Sequence, residues 1–140
     1  MKLFIFLSVA VFFIAACIYG ERCAREKVKQ RFLGRRSIDL DVLCGCFCRK
    51  DGFNKGRIKE ILEFVAAELF IDPGVLRPED RLDFELVPPD FDCEKDFWRG
   101  ILKNVSKSRK EHIECAKIVT LDDYVCALMR LLEGHAGKII

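Results

Sequence analysis

The stretch that decides the fold is Asn54-Lys55-Gly56-Arg57-Ile58-Lys59-Glu60-Ile61-Leu62-Glu63-Phe64-Val65-Ala66-Ala67-Glu68-Leu69-Phe70. Ile58, Ile61, Leu62, Val65 and Leu69 recur every three or four residues, a period that lines apolar side chains along one face of an α-helix. Glu60, Glu63 and Glu68 fall off that stripe. Asn54 is a suitable N-cap, and Asp72-Pro73-Gly74 stops the helix. One such stripe needs partners, and the sequence offers two. Phe97, Trp98, Ile101, Leu102 and Val105 form a second, in a helix expected to open at Asp90 or Asp92. Tyr124, Val125, Leu128, Met129 and Leu132 form a third. Thr120-Leu121-Asp122-Asp123 introduces it as a capping box with Asp123 in the usual Glu position, and Gly134 suits its C′ end. The expected class is all-α, a small helical bundle with one long loop between its first two helices.

Between these helices the chain is less explicit. Val75, Leu76 and Leu82 sit in the long loop and are expected to pin it to the helices, while residues 106–111 read as a polar, mostly basic turn. Residues 37–50 fit either a short helix or an extended patch docked on the core.

Residues 3–19 contain no charge and include four phenylalanines and three isoleucines. As a helix they reach about 26 Å, the low end of what spans a bilayer. A cleaved signal peptide and a lipoprotein signal, with Ile14-Ala15-Ala16-Cys17 as a lipobox, are the rival readings. Charge favours the anchor. One base precedes the segment, whereas residues 21–36 carry seven bases against two acids. Lys and Arg beside a span stay on the cytoplasmic side. The expectation is therefore a single-pass anchor in the inner (cytoplasmic) membrane with the C-terminal domain cytoplasmic. The basic collar would lie against anionic headgroups. The organisation reads as an anchor over 1–20, a collar over 21–36, a Cys-rich connector over 37–53 and a helical domain over 54–134.

Residues 37–140 carry 16 bases and 20 acids, with no face of interleaved Lys, Arg and aromatics, so a nucleic-acid role is discounted. Seven cysteines follow Cys17. Their odd number and the helical periodicity around Cys126 point to reduced thiols rather than a secreted disulfide scaffold.

The span from Ile58 to Leu82, with its Leu76-Arg77-Pro78-Glu79-Asp80-Arg81-Leu82 loop, resembles the acyl carrier protein family, as does Val119-Thr120-Leu121-Asp122-Asp123-Tyr124-Val125 at the last helix. The likeness covers about residues 54–132. It implies a carrier-like bundle whose second helix begins at the phosphopantetheine serine. Here that place falls on Asp90, or on Cys93 with three inserted residues, and neither is a serine. The resemblance thus implies a divergent carrier-like domain without the prosthetic arm, similar to short bacterial membrane-anchored proteins of this kind.

Other motifs have plain readings. Cys44-Gly45-Cys46-Phe47-Cys48 could contribute thiolates to zinc or copper, with His112, Cys115 or Cys93 as a further ligand, or could pack as small buried residues. His112 and His135 lie beside no evident nucleophile, and the acids at 90–96 suit a helix N-terminus. Trp98 reads as core, or else as an exposed anchor that makes an interaction surface with Asp92 and Cys93. The expected function is a membrane-tethered, non-catalytic interaction module for an unknown protein partner, without cofactor. The alternative is a thiol-dependent metal or redox protein using Cys44, Cys46 and Cys48.

Overall fold

In a computed structural model of the chain, residues 2–49, 51–89 and 96–133 are described. The deciding stretch forms α3 (Lys55–Leu69), with Asn54 accepting the Gly56 N–H at 2.8 Å. Its stripe, Ile58, Ile61, Leu62, Val65 and Leu69, is buried. Phe70 closes the helix in the left-handed conformation at φ 56°. The other expected helices are α4 (Phe97–Arg109) and α5 (Leu121–Glu133). They pack on each other, and α5 also packs on α3. The capping box forms as its residues require: Asp123 accepts the Thr120 N–H at 3.0 Å, and Thr120 Oγ1 accepts the Asp123 N–H at 3.3 Å. No strand occurs among the described residues, only an isolated bridge between Arg81 and Thr120.

That bridge seals the long loop onto the start of α5. Leu82 N–H reaches the Val119 carbonyl at 3.0 Å, and Leu121 N–H reaches the Asp80 carbonyl at 2.8 Å. Leu76 and Leu82 are buried, as their isolation in a polar loop predicts. Within residues 37–49 lies a short helix, α2 (Leu40–Cys44), capped by Asp39 and burying Leu43 and Cys44. Residues 106–109 depart from the expected turn. They continue α4, which ends only at Lys110, where a left-handed residue lets Lys110 and Glu111 N–H bond back to Lys107 and Ser106. The expected helix start at Asp90 or Asp92, the C′ residue Gly134 and His135 lie outside the described residues.

The N-terminal region is one continuous helix, α1 (Lys2–Arg31), about 45 Å long at 1.5 Å per residue. Its span Leu7–Arg31 is long and apolar enough, by length and composition, to cross a membrane. The side chains at Leu7, Phe12 and Phe13 have no protein neighbours to cover them, Phe12 being 76% exposed. The collar, expected to lie against anionic headgroups, is also packed into the domain. Val28 and Phe32 are core residues at 1% and 5% exposure. Arg25 stacks its guanidinium over the Phe70 ring at 3.8 Å. Arg31 donates to the Val87 carbonyl at 2.9 Å, and Arg35 pairs with Asp80 at 2.7 Å. A charge count alone says nothing of packing in such a collar. The apolar residues threaded through it, Val28 and Phe32, dock it.

Candidate functional site

The site grows from α5. Asp122 and Cys126 stand four residues apart, one turn, so their side chains share a face. Opposite that face runs the turn after α2. Its Cys48 sits at φ 46°, a left-handed conformation uncommon for a residue with a Cβ. The Asp122 carboxylate holds it there, accepting the Cys48 N–H at 2.9 Å. Cys48 and Cys126 are joined as a disulfide with Cα atoms 5.7 Å apart. The expectation of reduced thiols is corrected at these two positions. Their 78-residue separation hid a pairing that arises only because α2 and α5 both pack on α3, bringing the turn after α2 to α5.

The disulfide lies in the wall of a groove of about 830 Å³, whose lining includes Cys46, His112, Asp122 and Arg130. The groove carries both charge signs. Arg130 pairs with Asp51 at 3.1 Å, and Lys117 pairs with Glu114. Burial acts to raise the Asp123 carboxyl, but hydrogen bonds from the Thr120 and Val119 N–H groups and the Thr120 hydroxyl outweigh it. The carboxyl is held below its ordinary range. Among the described residues, the Asp122 carboxylate and the two bonded sulfurs of Cys48 and Cys126 lie within 4.8 Å of one another, a donor set for a metal only once the disulfide is reduced.

The three thiols of the Cys44–Cys48 cluster do not converge on one point. Cys44 is buried in the core at 2% exposure, and burial, aided by the Asp41 charge, pushes its thiol up, the wrong direction for a thiolate ligand. Cys46 lines the groove, and Cys48 is bonded to Cys126. His112, a candidate further ligand by sequence, is exposed on the groove. The legible signal for this site was the Asp122–Cys126 spacing within the last helix, read only as amphipathic.

Trp98, read as core or else as an exposed anchor beside Asp92 and Cys93, takes the core reading. Trp98 is 1% exposed and donates its indole N–H to the Leu86 carbonyl at 2.6 Å. Edge contacts to Phe97, at 4.9 Å between centroids, and Tyr124, at 5.6 Å, complete its enclosure. Both the apolar body and the polar tip are satisfied inside, so Trp98 is no interface anchor. Asp92 and Cys93 lie outside the described residues.

The fold and site define a helical domain with a disulfide-walled groove, carried on a helix able to cross a membrane. No protein-family model matches the chain, and neither does a curated protein or a solved structure.

Proposed function

We propose that the chain is a membrane-tethered, non-catalytic interaction module whose carrier-like domain lacks phosphopantetheine. The observation carrying this reading is the docked collar. With Val28 and Phe32 in the core and Arg35 on buried Asp80, the domain is built around the end of its own anchor. Such a construction suits a protein whose task is to hold a binding surface at a membrane. The groove is the recess it offers to a protein partner. Carrier likeness is supported by the order of elements: α3, a long sealed loop, α4, a short 3-10 turn at Cys115–Lys117, and α5. The arm is discounted because the sequence places Asp90 or Cys93 where carriers have serine.

The excess of bases after the span puts the domain on the cytoplasmic face of the inner membrane. Arg22, Lys27 and Arg36 remain exposed for anionic headgroups. Co-expression with a promiscuous phosphopantetheinyl transferase should leave the intact mass unchanged, and a gain of one phosphopantetheine would make the protein a true carrier. A C-terminal reporter that works only after export should stay silent; its activity would reverse the topology.

A second reading, a thiol-dependent metal or redox protein, is favoured by Cys46, Cys48 and Cys126 opening on one groove. Cys44, buried away from it, is dropped from that reading.

A further inference from the structure

We infer that Cys48, Cys126 and Asp122 form a redox-gated site for a zinc-class divalent cation, closed when the two cysteines are bonded and open when they are reduced. The inference deepens the thiol reading and does not depend on the tethered-module reading.

The donor set argues for the class of ion. Two thiolates and one carboxylate suit zinc, and thiolate sulfur selects against magnesium and calcium, which take oxygen ligands. Tetrahedral zinc with bonds of about 2.3 Å to sulfur and about 2.1 Å to oxygen separates its ligands by roughly 3.5–3.8 Å. Here Cys126 Sγ lies 3.8 Å from Asp122 Oδ1, and the two sulfurs, bonded to each other in the oxidised form, must move apart to the same spacing on reduction.

The scaffold argues for preorganisation. Asp122 and Cys126 are fixed one turn apart on α5, inside the capped start of that helix. Cys48 is fixed against them by its N–H bond to Asp122, in a backbone conformation the rest of the turn must hold. The same carboxylate therefore orients one ligand and serves as another. Three protein ligands leave a fourth position, and the groove bearing Cys46 and His112 opens beside it. Water, a fourth side chain or a partner's donor group can reach that position, as in zinc sites that keep one place open.

Gating follows from bookkeeping of bonds. In the oxidised form the sulfurs are bonded to each other and neither is a thiolate. A dithiol reductant delivers two electrons and two protons, breaks the Cys48–Cys126 bond and leaves as its own disulfide. The cation then displaces the two thiol protons into solvent and binds the thiolates with Asp122. Reoxidation by a disulfide-class oxidant reverses both steps and expels the metal. In a reducing compartment the open form is the resident one, which reconciles a cysteine pair with a cytoplasmic domain.

The test uses the full chain in detergent, reduced by a dithiol, freed of reductant without oxygen, and titrated with Co²⁺ as a spectroscopic stand-in for zinc. One equivalent should produce a thiolate-to-cobalt charge-transfer band, and the oxidised chain should produce none. Asp122→Asn should weaken binding at least about tenfold, whereas Cys44→Ser should leave the band unchanged. A measurement on the unmodified chain guards against variants that fail to fold. Zinc should protect Cys48 and Cys126, but not Cys115, from alkylation mapped by peptide mass. Absence of the band, or equal alkylation with and without zinc, overturns the inference. In that event, thiol counts before and after dithiol treatment show separately whether the disulfide cycles, so the broader redox reading stands or falls on its own result.

Discussion

The junction where α1 enters the domain and the groove beside α5 treat their polar atoms in opposite ways. At the junction, the Asp80 carboxylate accepts from Arg35 at 2.7 Å and from the Arg77 N–H at 2.8 Å, and its side chain is almost fully enclosed. Arg77 in turn donates to the Gly74 and Arg36 carbonyls. In the groove, His112 is exposed, and the ion pairs Arg130–Asp51 and Lys117–Glu114 face solvent. Its two central sulfurs are joined to each other, with Cys48 buried and Cys126 half-buried. Polar atoms at the junction are enclosed, whereas the charged and imidazole groups around the groove are largely exposed. The difference sets the groove, not the enclosed Asp80 network, as the region with exposed polar groups.

The contrast can be broken most severely at the disulfide. Reducing Cys48–Cys126 frees a loop of 78 residues' separation, which in the chain-entropy account should lower stability by about 4 kcal/mol. Urea unfolding with and without dithiol measures this. Zinc added to the reduced chain should recover part of the loss. At the junction, Asp80→Ala leaves Arg35 and the Arg77 N–H without their acceptor. Because Arg35 stays partly exposed, the expected cost is about 2 kcal/mol, below that of a fully buried pair. A cost near zero would mean that the collar is not docked through this pair.

Gly74→Ala probes the same junction sterically. A Cβ there would sit 2.2 Å from Ser37 Oγ and 2.6 Å from the Ile38 carbonyl oxygen, and backbone cannot swing aside as a side-chain end can. The expected loss is about 1–2 kcal/mol, with exchange of the Ile38 amide accelerated because its bond to the Gly74 carbonyl is strained. Asp123→Ala removes half of the capping box and should cost about 1 kcal/mol at neutral pH. Its carboxyl is held below the ordinary value, so its contribution is present above that value and fades as pH falls through the lowered one. Asp80 has the opposite sign. Burial raises its carboxyl despite Arg35 and the Arg77 N–H, so its protonated form is favoured by folding and its contribution shrinks as pH rises through the raised value. Acid titration followed by circular dichroism, compared between the wild type and Asp123→Ala, should show a shallower acid loss in the variant. The smallest effect is expected at Tyr124→Phe. The Tyr124 hydroxyl is buried and finds no partner among the described residues, so its removal should be neutral or stabilising by up to about 1 kcal/mol in the same unfolding measurement.

Local chemistry was legible in the sequence wherever one short stretch held all the information. The α3 stripe, the Thr120–Asp123 capping box and the burial of Leu76 and Leu82 each follow from neighbours a few residues apart. The α4 end was misplaced because Ser106, Lys107 and Arg109 are polar, yet a left-handed Lys110 rather than polarity ends that helix. Docking of Val28 and Phe32 was illegible because charged neighbours masked two apolar positions one turn apart. The Cys48–Cys126 pair was illegible for a different reason: residues 78 apart meet only once the bundle has formed. Trp98 allowed two readings until the Leu86 carbonyl supplied its polar tip with a partner.

The unbroken run of α1 from the lipid-compatible segment into the core removes the hinge that most tethered domains possess. A flexible leash lets a domain sample a hemisphere above the bilayer, so its partners can arrive from any height. With residues 3–19 in a bilayer, as proposed, the remaining turns of the same helix would act as a rigid mast that leaves rotation about the membrane normal and diffusion in the plane. On the proposed tethered reading, the groove would then stay at one fixed height above the bilayer. Cutting α1 with a short glycine insert after Tyr19 would restore the lost freedom while leaving every contact of the domain in place.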